Sequence, residues 1–204
     1  MKMKKIMLIA MLPLIVEIIV ACCDCLEPAI FDYTNCGLTI SNLDNSGAEP
    51  IVTNLNTILK NAYGIRVSIV REENTCEASR LNSIFIQSSY AFDCLCPPEL
   101  EYLALDSITS LKIFTLNEFD ESHTTDSEIS DYFRVFSRDN FSLIDHYINN
   151  IGTTLYDFDN PTLEFDLLLM TPPTHGPEHK FQVTILLSDG RELSAQTEIL
   201  ELVE

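Results

Sequence analysis

The chain has 204 residues, of which 12 are Lys or Arg and 31 are Asp or Glu, so its formal net charge is −19. Such a strong negative charge argues against nucleic acids and against anionic membrane surfaces as ligands. The length is ample for a hydrophobic core and allows one large domain or two small ones.

The first 21 residues have the features of a secretory signal peptide. Three lysines lie within the first five residues, residues 6–16 form an apolar stretch, and the small residue Ala21 precedes Cys22. The apolar stretch is shorter than the roughly 20 residues that a membrane-spanning helix needs. We therefore assign residues 1–21 to a signal peptide.

The run from Ile19 to Cys22, Ile-Val-Ala-Cys, resembles the lipobox of bacterial lipoproteins. The resemblance implies that the chain is cut before Cys22 and that this cysteine carries three acyl chains, which anchor a protein more stably than one does. In that family an Asp directly after the cysteine retains the protein in the inner membrane. Cys23 stands there instead, which favours the outer membrane. The alternative is an ordinary secreted protein that is cut near Ala21.

Removing residues 1–21 takes away three Lys and one Glu, which leaves 183 residues with a net charge of −21. Beside Cys22, the mature chain has six cysteines: Cys23, Cys25, Cys36, Cys76, Cys94 and Cys96. An even number in an exported protein indicates a disulfide framework, and here it is confined to the N-terminal half.

Six cysteines allow fifteen pairings, among which the sequence does not choose. Our interpretation joins Cys36 to Cys76 and brings Cys23 and Cys25 to the 94–96 segment. A metal or redox role is the alternative, because Cys22 and Cys25 have the spacing of zinc ligands. The lipid would, however, consume Cys22.

Residues 22–35 are expected to form a lipidated tether, and residues 36–102 the disulfide-bearing part of the domain. Alternating or β-branched apolar residues predict three strands, at 36–42, 65–70 and 83–92. Thr53 is predicted to cap a helix that ends at Gly64. Pro97 and Pro98 indicate a boundary or a rigid bend.

Residues 103–204 are predicted to form a β-sandwich with a helical insertion, starting with a strand at 108–116. Thr125 and Glu128 match a capping box. The apolar residues behind it have the spacing i, i+3, i+4, i+7 of one helix face: Ile129, Tyr132, Phe133 and Phe136. A second helix is predicted from Phe141 to its stop at Gly152.

Three further strands are predicted, at 163–170, 181–187 and 193–199. The last two form a hairpin whose register follows the apolar face. A three-residue loop, 188–190, pairs Ile185 with Leu193 and Val183 with Ala195, and it requires Gly190 in the left-handed conformation.

Candidate chemical sites are few. The segment from His175 to His179 matches the inverted zincin pattern His-x-x-Glu-His, but that pattern needs a helix. Gly176 and Pro177 predict a loop instead, with at most an adventitious metal site. His146 is predicted to be an exposed polar residue.

Acidic pairs are the other candidates. Asp120 with Glu121, or Asp157 with Asp159, could serve a hydrolase or a calcium ion, but no calcium-loop pattern follows Asp157. We therefore predict no catalytic residue, no metal ligand and no cofactor.

The layout resembles lipoproteins of unknown function from gut Bacteroidetes. The resemblance rests on Cys22 with further cysteines beside it, on the Cys94/Cys96 pair before prolines, on the strand 108–113 and on the closing hairpin 181–202. It implies a mainly β fold, an antiparallel immunoglobulin-like β-sandwich with short helical insertions and a disulfide-rich N-terminal section.

That family has no established activity. We expect a membrane-anchored, non-enzymatic binding or structural accessory module of the cell envelope, with an envelope protein or glycan as its partner and no role for nucleic acid. The alternatives are an envelope hydrolase that uses carboxylates and a thiol-redox protein.

Overall fold

The computed structural model describes residues 29–73, 76, 100–137, 140–155, 158 and 161–204. These residues form a mainly β structure with one α-helix, α1, at Ile144–Asn150, and two 3-10 helices, at Lys60–Ala62 and Ser130–Tyr132. The strands are β1 Ala29–Asp44, β2 Ile51–Val52, β3 Thr57–Leu59, β4 Tyr63–Glu73, β5 Leu100–Ala104, β6 Ile108–Thr115, β7 Phe133–Ser137, β8 Asn140–Ser142, β9 Thr154–Leu155, β10 Thr162–Leu169, β11 Glu178–His179, β12 Phe181–Leu187, β13 Glu192–Gln196 and β14 Leu200–Val203.

The largest sheet has the strand order β8-β7-β10-β4-β1-β5-β9, and β2 also pairs with β1. β1 lies inside this sheet, antiparallel to β4 along most of its length and parallel to β5 at its start. Two three-stranded sheets complete the fold, with the orders β13-β12-β6 and β11-β14-β3.

One hydrophobic core joins these sheets. Alternate residues of β4 point into it, as period-2 patterning requires, and Ile65, Val67 and Ile69 are fully buried. Val183 and Ile185 of β12 are buried in the same cluster. Residues from both halves of the chain therefore contribute to a single core.

The closing hairpin is confirmed with its predicted register. Val183 pairs with Ala195 and Ile185 with Leu193. Gly190 has φ +88°, the left-handed conformation that the three-residue loop needs. The strands predicted at 36–42, 65–70, 108–116 and 163–170 are also confirmed, as parts of β1, β4, β6 and β10.

The helix predicted between Thr53 and Gly64 is wrong. Residues 57–59 form β3, which pairs with β14, and a 3-10 turn follows. Gly64 does not end a helix but lies in β4, where a Cβ atom would lie 2.7 Å from a methyl group of Leu168. Close packing of β4 against β10 therefore explains this glycine.

The helix predicted at 129–136 is also wrong, since a 3-10 turn at 130–132 leads into β7. The spacing of Phe133 and Val135 fits a strand, and pairing of β7 with β10 buries both side chains. Pairing with β10 therefore selects the strand over the helix that the apolar spacing predicted. The Glu128 carboxylate accepts hydrogen bonds from Lys112 and Ser130 and does not form the predicted capping box.

The second predicted helix is confirmed in shorter form. It begins at Ile144, because Phe141 belongs to β8, and it ends before Gly152. Ile144 and Ile148 are buried against the core, while His146 is exposed, as predicted. The signal peptide 1–21, the strand 83–92 and the Pro97-Pro98 bend lie outside the described residues. Within the described ranges, no helix has the length and apolar character to cross a membrane.

Candidate functional site

A disulfide joins Cys36 to Cys76, the pairing that our interpretation gave these two cysteines. Cys36 is the additional residue of a β-bulge in β1, where the register with β4 shifts between Asn35 and Gly37. The lipidation residue Cys22 and the disulfide candidates Cys23, Cys25, Cys94 and Cys96 lie outside the described residues.

A buried polar cluster lies next to this disulfide. The Asp106 carboxylate, 2% exposed, accepts hydrogen bonds from the backbone N–H and the side-chain amide of Asn35, at 3.0 and 2.8 Å. Arg191 forms an ion pair with Asp106 and also donates to the Asn35 carbonyl oxygen at 3.2 Å. The polar groups of this cluster connect β1, the turn before β6 and the residue that follows the hairpin loop, so their role is structural.

The segment from His175 to His179 is irregular, as predicted, and contains the short strand β11. His179 is fully buried, and its Nε2 lies 3.2 Å from the Gly176 carbonyl oxygen, which can only accept, so Nε2 carries the proton. Burial lowers the pKa of His179, against the opposing effect of this hydrogen bond. In the part of the chain that the structure describes, no three His, Cys, Asp or Glu side chains are arranged to hold a metal ion.

Asp120 and His123 form a second polar pair at the surface. His123 Nδ1 lies 2.9 and 3.1 Å from the two carboxylate oxygens. Oδ1 also accepts hydrogen bonds from the backbone N–H groups of Ser122 and His123. Partial burial raises the pKa of the Asp120 carboxyl, but these hydrogen bonds outweigh it and hold the pKa well below its usual value. Asp157 and Asp159 lie outside the described residues, so the structure does not place them relative to Asp120.

A groove with both polar and apolar lining residues opens where β10 ends. Its volume is about 250 Å³. It is lined by Asn45, Asn61, Tyr63, Phe141, Leu168, Leu169, Met170 and Pro172. Phe141 is 57% exposed and Met170 is 54% exposed, so two large apolar side chains of the groove lining face solvent. Apolar surface of this kind often marks a site that a partner covers.

Three chain segments build the groove. Met170 directly follows the apolar strand β10, and the Pro172-Pro173 pair prevents the strand from continuing. Phe141 is presented by β8 and packs on Phe136 of β7, with ring centroids 5.1 Å apart. Tyr63 closes the base, because its ring stacks on the core residue Phe181 and its hydroxyl donates to Asn42 Oδ1 at 2.8 Å.

The groove lies at the far end of β1 from the predicted tether. Asn45, which lines the groove, directly follows β1, whereas Ala29 begins β1, so residues 29–35 of the predicted tether belong to this strand. Fifteen residue steps separate Ala29 from Asp44. At about 3.3 Å per residue the two ends are about 50 Å apart along the strand.

The sequence alone predicts neither this groove nor the Asn35/Asp106/Arg191 cluster. The groove residues come from segments up to 127 positions apart, from Asn45 to Pro172. The proline pair after an apolar run predicts where the strand ends. It does not predict which other segments lie beside that end.

The comparisons with known proteins agree with a family whose function is not established. No curated protein matches the chain, and no solved structure matches it. The model of the domain of unknown function DUF5034 matches residues 35–198, which cover the described core from the bulge of β1 to the end of the hairpin. The chain therefore belongs to the DUF5034 family.

Proposed function

We propose that this protein is a non-enzymatic binding module of the cell envelope, anchored in the outer membrane by a lipid on Cys22. The observation that carries the proposal is the groove of mixed polar and apolar lining with the exposed side chains Phe141 and Met170, at the C-terminal end of β1. An anchor at one end of the sheet and a groove at the other suit a module that presents a binding surface away from its membrane. The partner is an envelope protein or a glycan, and the negative charge disfavours nucleic acid.

The immunoglobulin-like sandwich remains part of this proposal. It is supported by the burial of β4 residues of the large sheet and β12 residues of a three-stranded sheet in one core cluster. Two layers that share one core are the defining packing of a sandwich. The parallel pairing of β1 with β5 departs from a purely antiparallel arrangement.

The membrane anchor is tested by mass. The intact mass of the protein extracted from membranes should correspond to residues 22–204 with an acylated Cys22, and Cys22→Ala should leave the membrane fraction. An unacylated mature chain that fractionates as a soluble protein would refute the anchor.

The groove is tested with a photoreactive amino acid at position 141 in living cells. We expect a discrete cross-linked species that disappears when Met170→Asp places a charge in the groove. Position 186 is the matched control, because Leu186 is an exposed apolar residue of β12, 41% exposed, in another sheet. Equal cross-linking at positions 141 and 186, or cross-linking at 141 that persists with Met170→Asp, would refute the groove as the binding site.

A second candidate function is hydrolysis, and one observation favours it. Asp120 fixes the ring of His123 through Nδ1, while Nε2 makes no hydrogen bond among the described residues and the ring borders a hollow of about 390 Å³. A histidine oriented in this way can act as a general base. Cleavage of purified envelope glycan by the wild-type protein, lost in His123→Gln, would favour this function over simple binding.

A further inference from the structure

We propose that Arg71 is the charged group of an anion-binding site, in the small cavity that it lines together with Tyr33, Asp106 and Thr153. The site takes one small anionic group, either a free chloride ion or the carboxylate of a larger molecule. This inference goes beyond the proposed function, because it depends neither on the lipid at Cys22 nor on the groove.

Arg71 is a buried cation without a counter-charge. It lies in β4, opposite Asn35 of β1, and only 6% of its surface is exposed. Within the described part of the chain, its Nε–H has no acceptor and no ion pair includes it. Arg66 of the same strand shows the usual arrangement, since its Nε lies 2.8 Å from a carboxylate oxygen of Asp166. A buried charge is costly unless it is paired, so the Arg71 guanidinium lacks the partner that its position requires.

An aromatic ring compensates this cation only in part. The Arg71 Cζ atom lies 5.3 Å from the centroid of the Tyr33 ring, which is a cation–π contact. Burial lowers the pKa of Arg71, against the opposing effects of Tyr33, Tyr147 and Asp106. An arginine nevertheless stays protonated in a protein, so this side chain remains a cation with hydrogen-bond donors and no acceptor. The group that the cavity lacks is therefore an anionic acceptor.

Asp106 lines the same cavity but is not the partner of Arg71. Its Oδ1 accepts hydrogen bonds from the backbone N–H and the side-chain amide of Asn35, and its Oδ2 forms an ion pair with Arg191. The carboxylate therefore already has its own counter-charge, and the charge of Arg71 is left over. One surplus positive charge beside a carboxylate favours a monovalent anion over a phosphate or a sulfate.

The size of the cavity also limits the anion. Its volume is about 20 Å³, and a cavity needs about 10–15 Å³ to hold one water molecule, so it admits a single small group. Ser107 and Thr153 also line it, and their hydroxyl groups can donate to an anion. Thr153 is exposed, so the cavity opens to solvent on this side, while Ile108 and Ile148 form an apolar part of its wall. A chloride ion or a carboxylate suits this space, and the remainder of a larger molecule would stay outside.

Chloride that exchanges with a protein site gives a broader NMR line than free chloride, so the line width measures binding. We expect the wild-type protein to broaden the chloride line. Arg71→Met, which keeps the length of the side chain but removes its charge, should lose more than half of this excess width. Arg134→Met is the matched control, because the Arg134 guanidinium donates to backbone carbonyl oxygens and pairs with no carboxylate among the described residues. It should keep the wild-type width.

Competition distinguishes the two sources of the anion. If formate or acetate narrows the chloride line of the wild-type protein, the site also takes a carboxylate, and a larger molecule that carries one is its ligand. If neither narrows the line, the ligand is chloride itself.

A crystal of the wild-type protein grown in sodium bromide needs no variant, and it therefore covers the case in which Arg71→Met does not fold. We expect an anomalous peak from bromide in the cavity, in contact with the Arg71 guanidinium. Water in the cavity, with bromide at the surface as an adventitious ion only, would overturn the proposal. Equal excess line widths in the wild type and Arg71→Met would overturn it as well. Either failure leaves the groove and the anchor standing, since neither measurement depends on them.

Discussion

Asp106 holds Asn35 by two hydrogen bonds across 71 positions of sequence, one to the backbone N–H at 3.0 Å and one to the side-chain amide at 2.8 Å. The pair fixes the residue just before the β1 bulge to the turn that leads into β6. Arg191 forms an ion pair with the same carboxylate, so three distant segments meet at one buried charge.

Removing this carboxylate should be severely destabilising. Asp106→Ala leaves the buried Asn35 donors without their acceptor, and an unsatisfied buried donor costs about 1–3 kcal/mol of unfolding free energy. Urea denaturation measures the loss. Asp189→Ala is the control, because it removes the more exposed carboxylate of the same arginine and should lose clearly less. Equal losses would show that Asp106 has no special structural role.

The hairpin loop should not tolerate a side chain at Gly190. With φ +88°, this position disfavours residues that carry a Cβ atom, by about 1–2 kcal/mol, and a β-branched residue is the worst case. Gly190→Val should therefore lower the melting temperature by several degrees. Gly152→Val is the matched control, since its φ is not positive and no atom lies within 4 Å of its added Cβ. An unchanged melting temperature in Gly190→Val would contradict the register.

Close packing makes the glycine of β4 irreplaceable. An alanine at Gly64 would place its Cβ 2.7 Å from Leu168 Cδ2 and 3.0 Å from the Leu167 carbonyl oxygen. We expect Gly64→Ala to lose about 1–3 kcal/mol, the usual range for overpacking. Gly37→Ala in the neighbouring strand meets Val70 at 3.6 Å, an ordinary contact, and should retain the wild-type stability. Chemical denaturation of both variants decides, and a loss in Gly37→Ala as large as that in Gly64→Ala would contradict the packing argument.

His179 should make the protein sensitive to acid. Its pKa is lowered in the folded protein, whereas the unfolded chain takes up a proton as the pH falls through about 6.5. Below that pH the unfolded state binds more protons, so stability is lost from about pH 6.5 down to the lowered pKa of the folded state. Melting temperatures at pH 7.5 and pH 5.5 should differ less in His179→Gln than in the wild type. His146→Gln, at an exposed position, should retain the wild-type difference, and identical differences in all three proteins would refute this role of His179.

The elements that the sequence predicts well are those in which one period explains the apolar residues. In the closing hairpin, apolar residues alternate with polar ones from Phe181 to Leu187, which fits a strand and not a helix. The pairing of Ile185 with Leu193 follows from the same alternation. The segment from Ile129 to Phe136 is different, because its spacing suits a helix face while Phe133 and Val135 also suit a strand. Pairing with the neighbouring strand β10 selects the strand conformation there, and the local sequence pattern contains no information about that pairing.

The candidate groove could not be predicted for the same reason. The sequence predicts that a helix begins at Phe141, but this residue lies in β8 and is mostly exposed. Its relation to Met170 and Tyr63 depends on the sheet order, which brings β8, β10 and β4 to one end of the fold. The Cys36–Cys76 bond agrees with our interpretation, although the sequence did not choose among the fifteen possible pairings.

The position of β1 has a mechanical consequence. β1 pairs with β4 through eleven residue pairs, from Tyr33 with Glu73 to Asp44 with Tyr63. A pull on a lipid attached at Cys22 would act along β1 and load these pairs in shear, all at once. A strand at the edge of a sheet, pulled sideways, would instead lose its hydrogen bonds one after another. The position of β1 inside the sheet therefore favours retention of the fold under a pull along this strand.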